Sequence, residues 1–363
     1  MYFNRNKNLV TLSNSILKAY GIRPFHNTIK VVDELFNKNQ IPKRKLAVFL
    51  LDGFGTYIQK IYKKDIPNLY NHIFLKMTSI YPPTTVACTT AFLTGKYPVE
   101  TGWLGWVEKL PMYSSPVTMF SSTFVDTKFE TKVKTRNFLP TTDLIELINN
   151  KTNFTANKLM SFNMSLPNDL SLFFSEANKS VKKYDFSYLY LTEPDSTLHE
   201  CGTHSTKVKN IVKSIDTYLD CFVKNNPDVL TLVIADHGHI DTSYFILNEH
   251  QELYSLLVPK YNCLEARSCM LFVKKGRQEE ALKLIKKYYS DYFDIYTKEE
   301  IIEKHLFGYG KPNIHFNDLL GDFLLVSKSN AGIADSCSSL LVSHHAGGTK
   351  KELNINLNVF NSL

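Results

Sequence analysis

Carboxylates and imidazoles recur in this chain just after apolar runs, where side chains from separate segments can converge on one point. Asp52 follows Leu46-Ala47-Val48-Phe49-Leu50-Leu51 and precedes Gly53. Asp195 and His199 stand four residues apart, which places both on one face of a helix. Asp236 and His237 follow the apolar run from Leu230 to Ala235. Adjacent strand residues point to opposite faces, so their joint use needs the turn that Gly238 permits. His344 and His345 open a small-residue loop, Ala346-Gly347-Gly348. Singly, each feature is ordinary: an Asp after a strand can cap the next helix, and an Asp–His pair can simply share a hydrogen bond. As a set, Asp and neutral His from separate segments suit two zinc-like cations.

A hydroxyl lies between the first and second carboxylates. In Tyr81-Pro82-Pro83-Thr84-Thr85-Val86, either Thr84 or Thr85 sits where a loop becomes a helix. A helix N-terminus offers free N–H groups and positive potential to a phosphate. A metal beside it would lower the pKa of the hydroxyl.

Three elements must position these groups. The unbroken apolar run 46–51 reads as a buried strand, as do Phe186–Leu191 and Leu230–Ala235. The small, apolar segment 86–94, closed by Gly95, reads as a buried helix, and residues 203–224 carry helical spacing. Strands alternating with helices predict an α/β fold with a mostly parallel central sheet and helices on both faces. In such sheets ligands bind beyond the carboxyl ends of the strands. Asp52, Asp195 (four residues past its strand) and Asp236 fall there.

Residues 1–40 read as a largely helical, polar lead-in, with Val31, Val32, Leu35 and Phe36 on one helix face. The stretch 245–335 differs in texture: Met270-Leu271-Phe272-Val273, a Lys/Glu-rich helix over 277–289, then Tyr296-Thr297-Lys298-Glu299-Glu300. It reads as an inserted α+β cap. The expected division is a core of 1–244 and 336–363 with the cap at 245–335.

With 44% apolar and 13% aromatic residues, a sizeable core can form and disorder of the body is excluded. Lys plus Arg exceed Asp plus Glu by 42 to 35; this mild excess suits a small anionic substrate and falls short of a nucleic-acid footprint. No stable nucleic-acid binding is expected. The six cysteines are scattered without a Cys-x-x-Cys pair, which argues against a zinc ribbon, a redox motif and a disulfide framework. No segment approaches the ~20 apolar residues of a membrane span, and the first residues lead into no signal-like stretch. The expectation is a cytoplasmic protein that does not engage a membrane.

The motifs together resemble the alkaline phosphatase superfamily, most closely its type I phosphodiesterase/nucleotide pyrophosphatase branch. The match comprises the strand ending in Asp52-Gly53, Thr85-x(8)-Thr94-Gly95-x-x-Pro98, and Glu193-Pro194-Asp195-x-x-x-His199-x-x-Gly202. Ala235-Asp236-His237-Gly238 and His345-Ala346-Gly347 follow, in family order over roughly 46–350. The resemblance implies an alkaline phosphatase-like fold and two divalent cations, zinc with manganese as the alternative. One cation would bind Asp52, Thr85, Asp236 and His237; the other would bind Asp195, His199 and His345. Thr85, nine residues before Thr94, would be the nucleophile, with Thr84 as its alternative and His344 as the alternative to His345.

The implied activity is hydrolysis of a phosphodiester or phosphoanhydride in a nucleotide-like substrate through a phosphothreonine intermediate. A phosphomonoesterase or phosphomutase, and a non-catalytic phosphate-ligand binder, are the competing expectations. One departure stands out: Trp106 occupies the place of an Asn that helps hold phosphate in nucleotide pyrophosphatases. His239 and Asp241 read as supporting or surface groups, Trp103 and Trp106 as packing or a pocket wall, and Cys88 as a packed small residue. His204 and His315 have no evident partner.

Overall fold

A computed structural model describes residues 2–259, 261–337 and 340–363. Six strands form the central sheet, in the order Ile73–Thr78, Asn354–Phe360, Leu230–Ile234, Leu46–Leu51, Phe186–Leu191, Ala156–Met160. The last four run parallel, and Asn354–Phe360 is antiparallel to both its neighbours. Every residue of Leu46–Leu51, Phe186–Leu191 and Leu230–Ile234 is buried, as strands covered on both faces require.

The two covering layers can be read from the aromatic contacts. Phe49 meets Phe173 and Phe174 of the helix Leu170–Lys183 and Phe222 of Thr206–Asn225. Tyr188 pairs in register with Val48 and so points to the opposite face. There it stacks on Phe92 of the helix Thr85–Thr94. The expected α/β architecture, a mostly parallel sheet between helices, is the observed one.

The N-terminal lead-in differs from its expected polar character. In the helix Leu9–Ala19 the apolar Leu9, Val10, Leu12, Ile16 and Leu17 are fully buried, and so are the polar Ser13 and Asn14. Asn14 accounts for its own burial. Its amide donates to the carbonyl of Gly95 (2.9 Å) and its oxygen accepts from Phe25 N (2.7 Å), which anchors the end of the helix Thr85–Thr94. In the helix Lys30–Lys38, Val32, Leu35 and Phe36 are buried while Val31 is exposed.

A second, antiparallel sheet has seven strands. Four lie within the segment expected as a cap: Phe293–Thr297, Phe323–Ser327, Ser268–Leu271 and Cys263–Glu265. The other three come from Val107–Glu108, Val117–Thr118 and Thr123–Phe124, joined where Leu264 pairs with Val107. Two- and three-residue strands carry too little alternation to be visible in the sequence. Among the described residues no helix is long and apolar enough to cross a membrane.

Glu108, in one of these short strands, is fully buried. Desolvation pushes its carboxyl up to about 8, against donors from Leu104 N (2.7 Å) and Gly105 N (3.3 Å), and its second oxygen has no partner. The folded chain therefore keeps a proton that the unfolded chain has lost between its usual carboxyl range and about 8. Stability falls as pH rises through that window. Glu108→Gln is expected to stabilise the protein by ~1–3 kcal/mol at pH 8 and by much less at pH 5. Urea unfolding at the two pH values checks this, and an equal effect at both would contradict it.

Candidate active site

Asp52 is the residue after the central strand Leu46–Leu51, and the chain must turn at once. Gly53 takes φ +71°, and a Cβ there would lie 2.8 Å from the ring of His239. Asp236 stands two residues past the neighbouring strand, Leu230–Ile234. Its Oδ1 accepts from Gly53 N (3.1 Å) and His237 N (2.9 Å), while the buried Oδ2 has no hydrogen-bond partner. His237 Nε2 lies 3.3 Å from Asp52 Oδ1 and 3.4 Å from Asp236 Oδ2. Gly238 was expected to supply a turn; it serves close packing instead. A Cβ there would stand 2.2 Å from the carbonyl of Lys351.

The helix Thr85–Thr94 begins at this cluster. Thr85 Oγ1 is 3.3 Å from both carboxylate oxygens of Asp52 and 3.2 Å from His237 Nε2. Thr84, the N-cap residue, turns its hydroxyl away and donates it to Glu265. Of the two threonines, the structure brings Thr85 to the cluster. Tyr190, from the strand beside Asp52, donates its hydroxyl to Asp52 Oδ2.

A second cluster lies alongside. Asp195 opens the helix Asp195–Cys201, and His199, one turn on, has Nε2 3.4 Å from Asp195 Oδ1. His345 Nε2 is 3.8 Å from the same oxygen, and its ring stacks on His237 at 3.9 Å, linking the clusters. His344 is directed elsewhere, its Nδ1 accepting from His345 N at 2.9 Å. The sequence reading placed His239 outside the ligand set. The structure places it against Asp195, fully buried, with Nε2 2.6 Å from Asp195 Oδ1. No local pattern foretold this, because its orienting partner Ser343 is 104 residues away.

Two groups of donor atoms result: Asp52, Asp236 and His237, and Asp195, His199, His239 and His345. Within each group the donor atoms lie within 4.8 Å of one another. The electrostatics favour cations at both. Burial, then the charges of Asp236 and Asp195, raises the Asp52 carboxyl well above the usual range, and burial raises Asp236 to about 7. Burial lowers His237 to about 3, leaving the neutral imidazole that a metal requires. The partnerless oxygen of Asp236 and partnerless Nδ1 of His345 are atoms that protein groups leave unsatisfied. This donor set fits divalent metal ions.

The loop carrying His345 is fixed from the second sheet. Ala346 adopts φ +83°, a conformation that costs a non-glycine residue ~1–2 kcal/mol, and its carbonyl accepts from Ser268 Oγ at 2.6 Å. The fully buried Arg267 forms a two-pronged pair with Glu352 (2.7 and 2.9 Å), and Glu352 accepts from Gly347 N at 2.7 Å. Beyond Thr84, desolvation pushes the Glu265 carboxyl up to about 8. A cavity of about 320 Å³ opens one turn along the helix Thr85–Thr94, lined by Thr89, Trp103, Phe120, Arg136, Lys158 and Phe162.

Comparison with known proteins bears on this site. The sequence profile of the family described as type I phosphodiesterase / nucleotide pyrophosphatase matches residues 46–345. No curated protein matches the chain by sequence. Among solved structures, mouse ectonucleotide pyrophosphatase/phosphodiesterase 5 superposes with TM-score 0.67 at 18% identity, covering 87% of this chain and 88% of that one. An inactive variant of the mouse protein, solved in complex with AMP, gives 0.66 at 17% identity with the same coverage. The human counterpart gives 0.66 at 14% identity, again over 87% of this chain and 88% of that one. At these identities the structural likeness establishes the fold; the functional assignment rests on the family match.

Proposed function

This chain belongs to the type I phosphodiesterase / nucleotide pyrophosphatase family, and from that premise we propose that it cleaves a phosphodiester or phosphoanhydride of a nucleotide-like substrate through a covalent intermediate on Thr85. The observation that carries the proposal is the approach of the Thr85 hydroxyl to Asp52 and His237 at the start of a helix.

Asp52, Asp236, His237 and Thr85 would hold one divalent cation, and Asp195, His199 and His345 a second, with zinc the favoured ion and manganese the alternative. Bound there, the cations would lower the pKa of the hydroxyl and neutralise charge on the phosphoryl group. Thr85 Oγ1 attacks phosphorus, the bond to the leaving oxygen breaks, and the phosphoryl group is carried on Thr85 until water releases it. First-turn N–H groups near Val86, at the start of the same helix, would help hold negative charge on the phosphoryl group. Tyr190, donating to Asp52, fixes that carboxylate.

The nucleotide-like substrate is supported by two features. A structural relative, the mouse protein named above, has been solved with AMP. In this chain Phe162 is exposed and packs edge-on against Tyr190, while Trp106 is exposed and packs edge-on against Phe120. Of these rings, Phe162 and Phe120 line the cavity that also contains Arg136 and Lys158, a combination of stacking surface and cationic groups that suits a base and a phosphate.

Hydrolysis of bis-p-nitrophenyl phosphate and p-nitrophenyl phosphate, before and after EDTA and on adding zinc or manganese, tests the reading. The expected result is metal-restored cleavage mainly of the diester. Preference for the monoester would move the protein to a phosphatase activity, and no cleavage of either would remove the catalytic assignment.

A further inference from the structure

His239 is the residue for which neither the family pattern nor the fold leaves a role, and its surroundings fix its protonation pattern. Ser343 Oγ lies 2.7 Å from the carbonyl oxygen of Leu198, which can only accept, so the single serine proton is committed there. The same Oγ lies 3.0 Å from His239 Nδ1 and must therefore accept from it. Nδ1 carries the proton, and Nε2 of the neutral ring presents a lone pair to Asp195 Oδ1 at 2.6 Å.

The same residue fixes His199. Its Nδ1 lies 2.8 Å from the backbone carbonyl of Ser343, again an acceptor only, so His199 Nε2 also presents a lone pair to Asp195 Oδ1, at 3.4 Å. Two imidazole lone pairs thus converge on one carboxylate oxygen. One bridging proton satisfies one of them and leaves the other bare. A cation bound by both rings and the carboxylate satisfies all three.

We infer that His239 is a ligand of the second cation, giving that site four protein side chains, Asp195, His199, His239 and His345, with Ser343 as the residue that orients two of them. The inference rests on the two-cation reading of the site and goes beyond it, because the family pattern implies only three side chains there. Four protein ligands match the coordination number of a tetrahedral zinc site. The glycine after Asp52 fits this arrangement: a Cβ at Gly53 would stand 2.9 Å from His239 Nε2, in the space of the donor atom. Orienting partners of metal-bound histidines typically contribute 10–100-fold to affinity.

The test is zinc content of the full-length apoprotein titrated against a chromophoric chelator, for wild type, His239→Gln and Ser343→Ala, with the absorption spectrum of the cobalt-substituted forms alongside. Wild type is expected to bind two ions per chain. His239→Gln should lose one of the two at least ~100-fold more readily than wild type while keeping the other, and its cobalt spectrum should lose intensity assigned to a four-coordinate site. Ser343→Ala keeps the imidazole and should weaken the same ion by about 10–100-fold. If His239→Gln does not fold, by circular dichroism of the apoprotein, Ser343→Ala carries the test. Two ions held by the folded variants with wild-type affinity and an unchanged cobalt spectrum would overturn the assignment of His239 while leaving the two-cation reading intact. Fewer than two ions in wild type would overturn that reading, and this inference with it.

Discussion

Thr85→Ala is expected to lower turnover of a diester substrate by at least ~10³-fold, to background, while metal content stays nearly unchanged. The size follows from removal of the attacking atom. The neighbouring hydroxyls are engaged elsewhere: Thr84 donates to Glu265, and the Tyr190 hydroxyl is committed to Asp52. Metal retention is expected because Asp52, Asp236 and His237 converge independently of the threonine side chain. Alanine at the first helical position keeps the helix Thr85–Thr94, so a loss of activity would not report unfolding. Thr84→Ala, by contrast, should change turnover less than ~10-fold. Steady-state kinetics and metal analysis on the two purified variants check this. Undiminished turnover in Thr85→Ala removes the residue from the nucleophile's role.

The second large effect is on stability. Arg267 and Glu352 are fully buried, and each is the other's countercharge. Removing one charge of a buried pair leaves the other uncompensated, which typically destabilises by ~3–5 kcal/mol. Arg267→Met should therefore lower the urea midpoint strongly. Because Glu352 also accepts from Gly347 N and Thr349 Oγ1, the loop bearing His345 should loosen as well, and metal should be lost at lower chelator concentration than from wild type. The double variant Arg267→Met/Glu352→Gln should recover part of the loss, since it removes both charges. A single variant as stable as wild type would show that the pair contributes little to holding the second sheet over the metal-binding loop.

The parts of this protein legible in the sequence are those written in local pattern. The runs at 46–51, 186–191 and 230–235 announced buried strands because parallel strands covered on both faces cannot alternate. The helix ending at Thr94 was marked by Gly95, which takes the left-handed φ of +67° expected of such a terminator. Asp52, Asp236 and the Asp195–His199 pair were visible because each sits at a fixed distance past its strand. What the sequence did not reveal depends on partners far along the chain. Thr85 was named over Thr84 by its spacing to Thr94, but the contact that turns Thr84 away, with Glu265 some 180 residues on, was not visible. His239 gains its place only through Ser343 and Asp195, and Arg267 only through Glu352. The lead-in helix looked polar because Asn14 and Ser15 pair with backbone groups inside the core, which composition alone cannot register.

The most direct test of the account is the stereochemical outcome at phosphorus when the protein hydrolyses a chiral phosphorothioate diester of a nucleotide in isotopically labelled water. Two in-line displacements, the first by Thr85 and the second by water, give net retention of configuration, and that is the predicted result. Net inversion would mean a single direct attack by water and would contradict a covalent intermediate on Thr85.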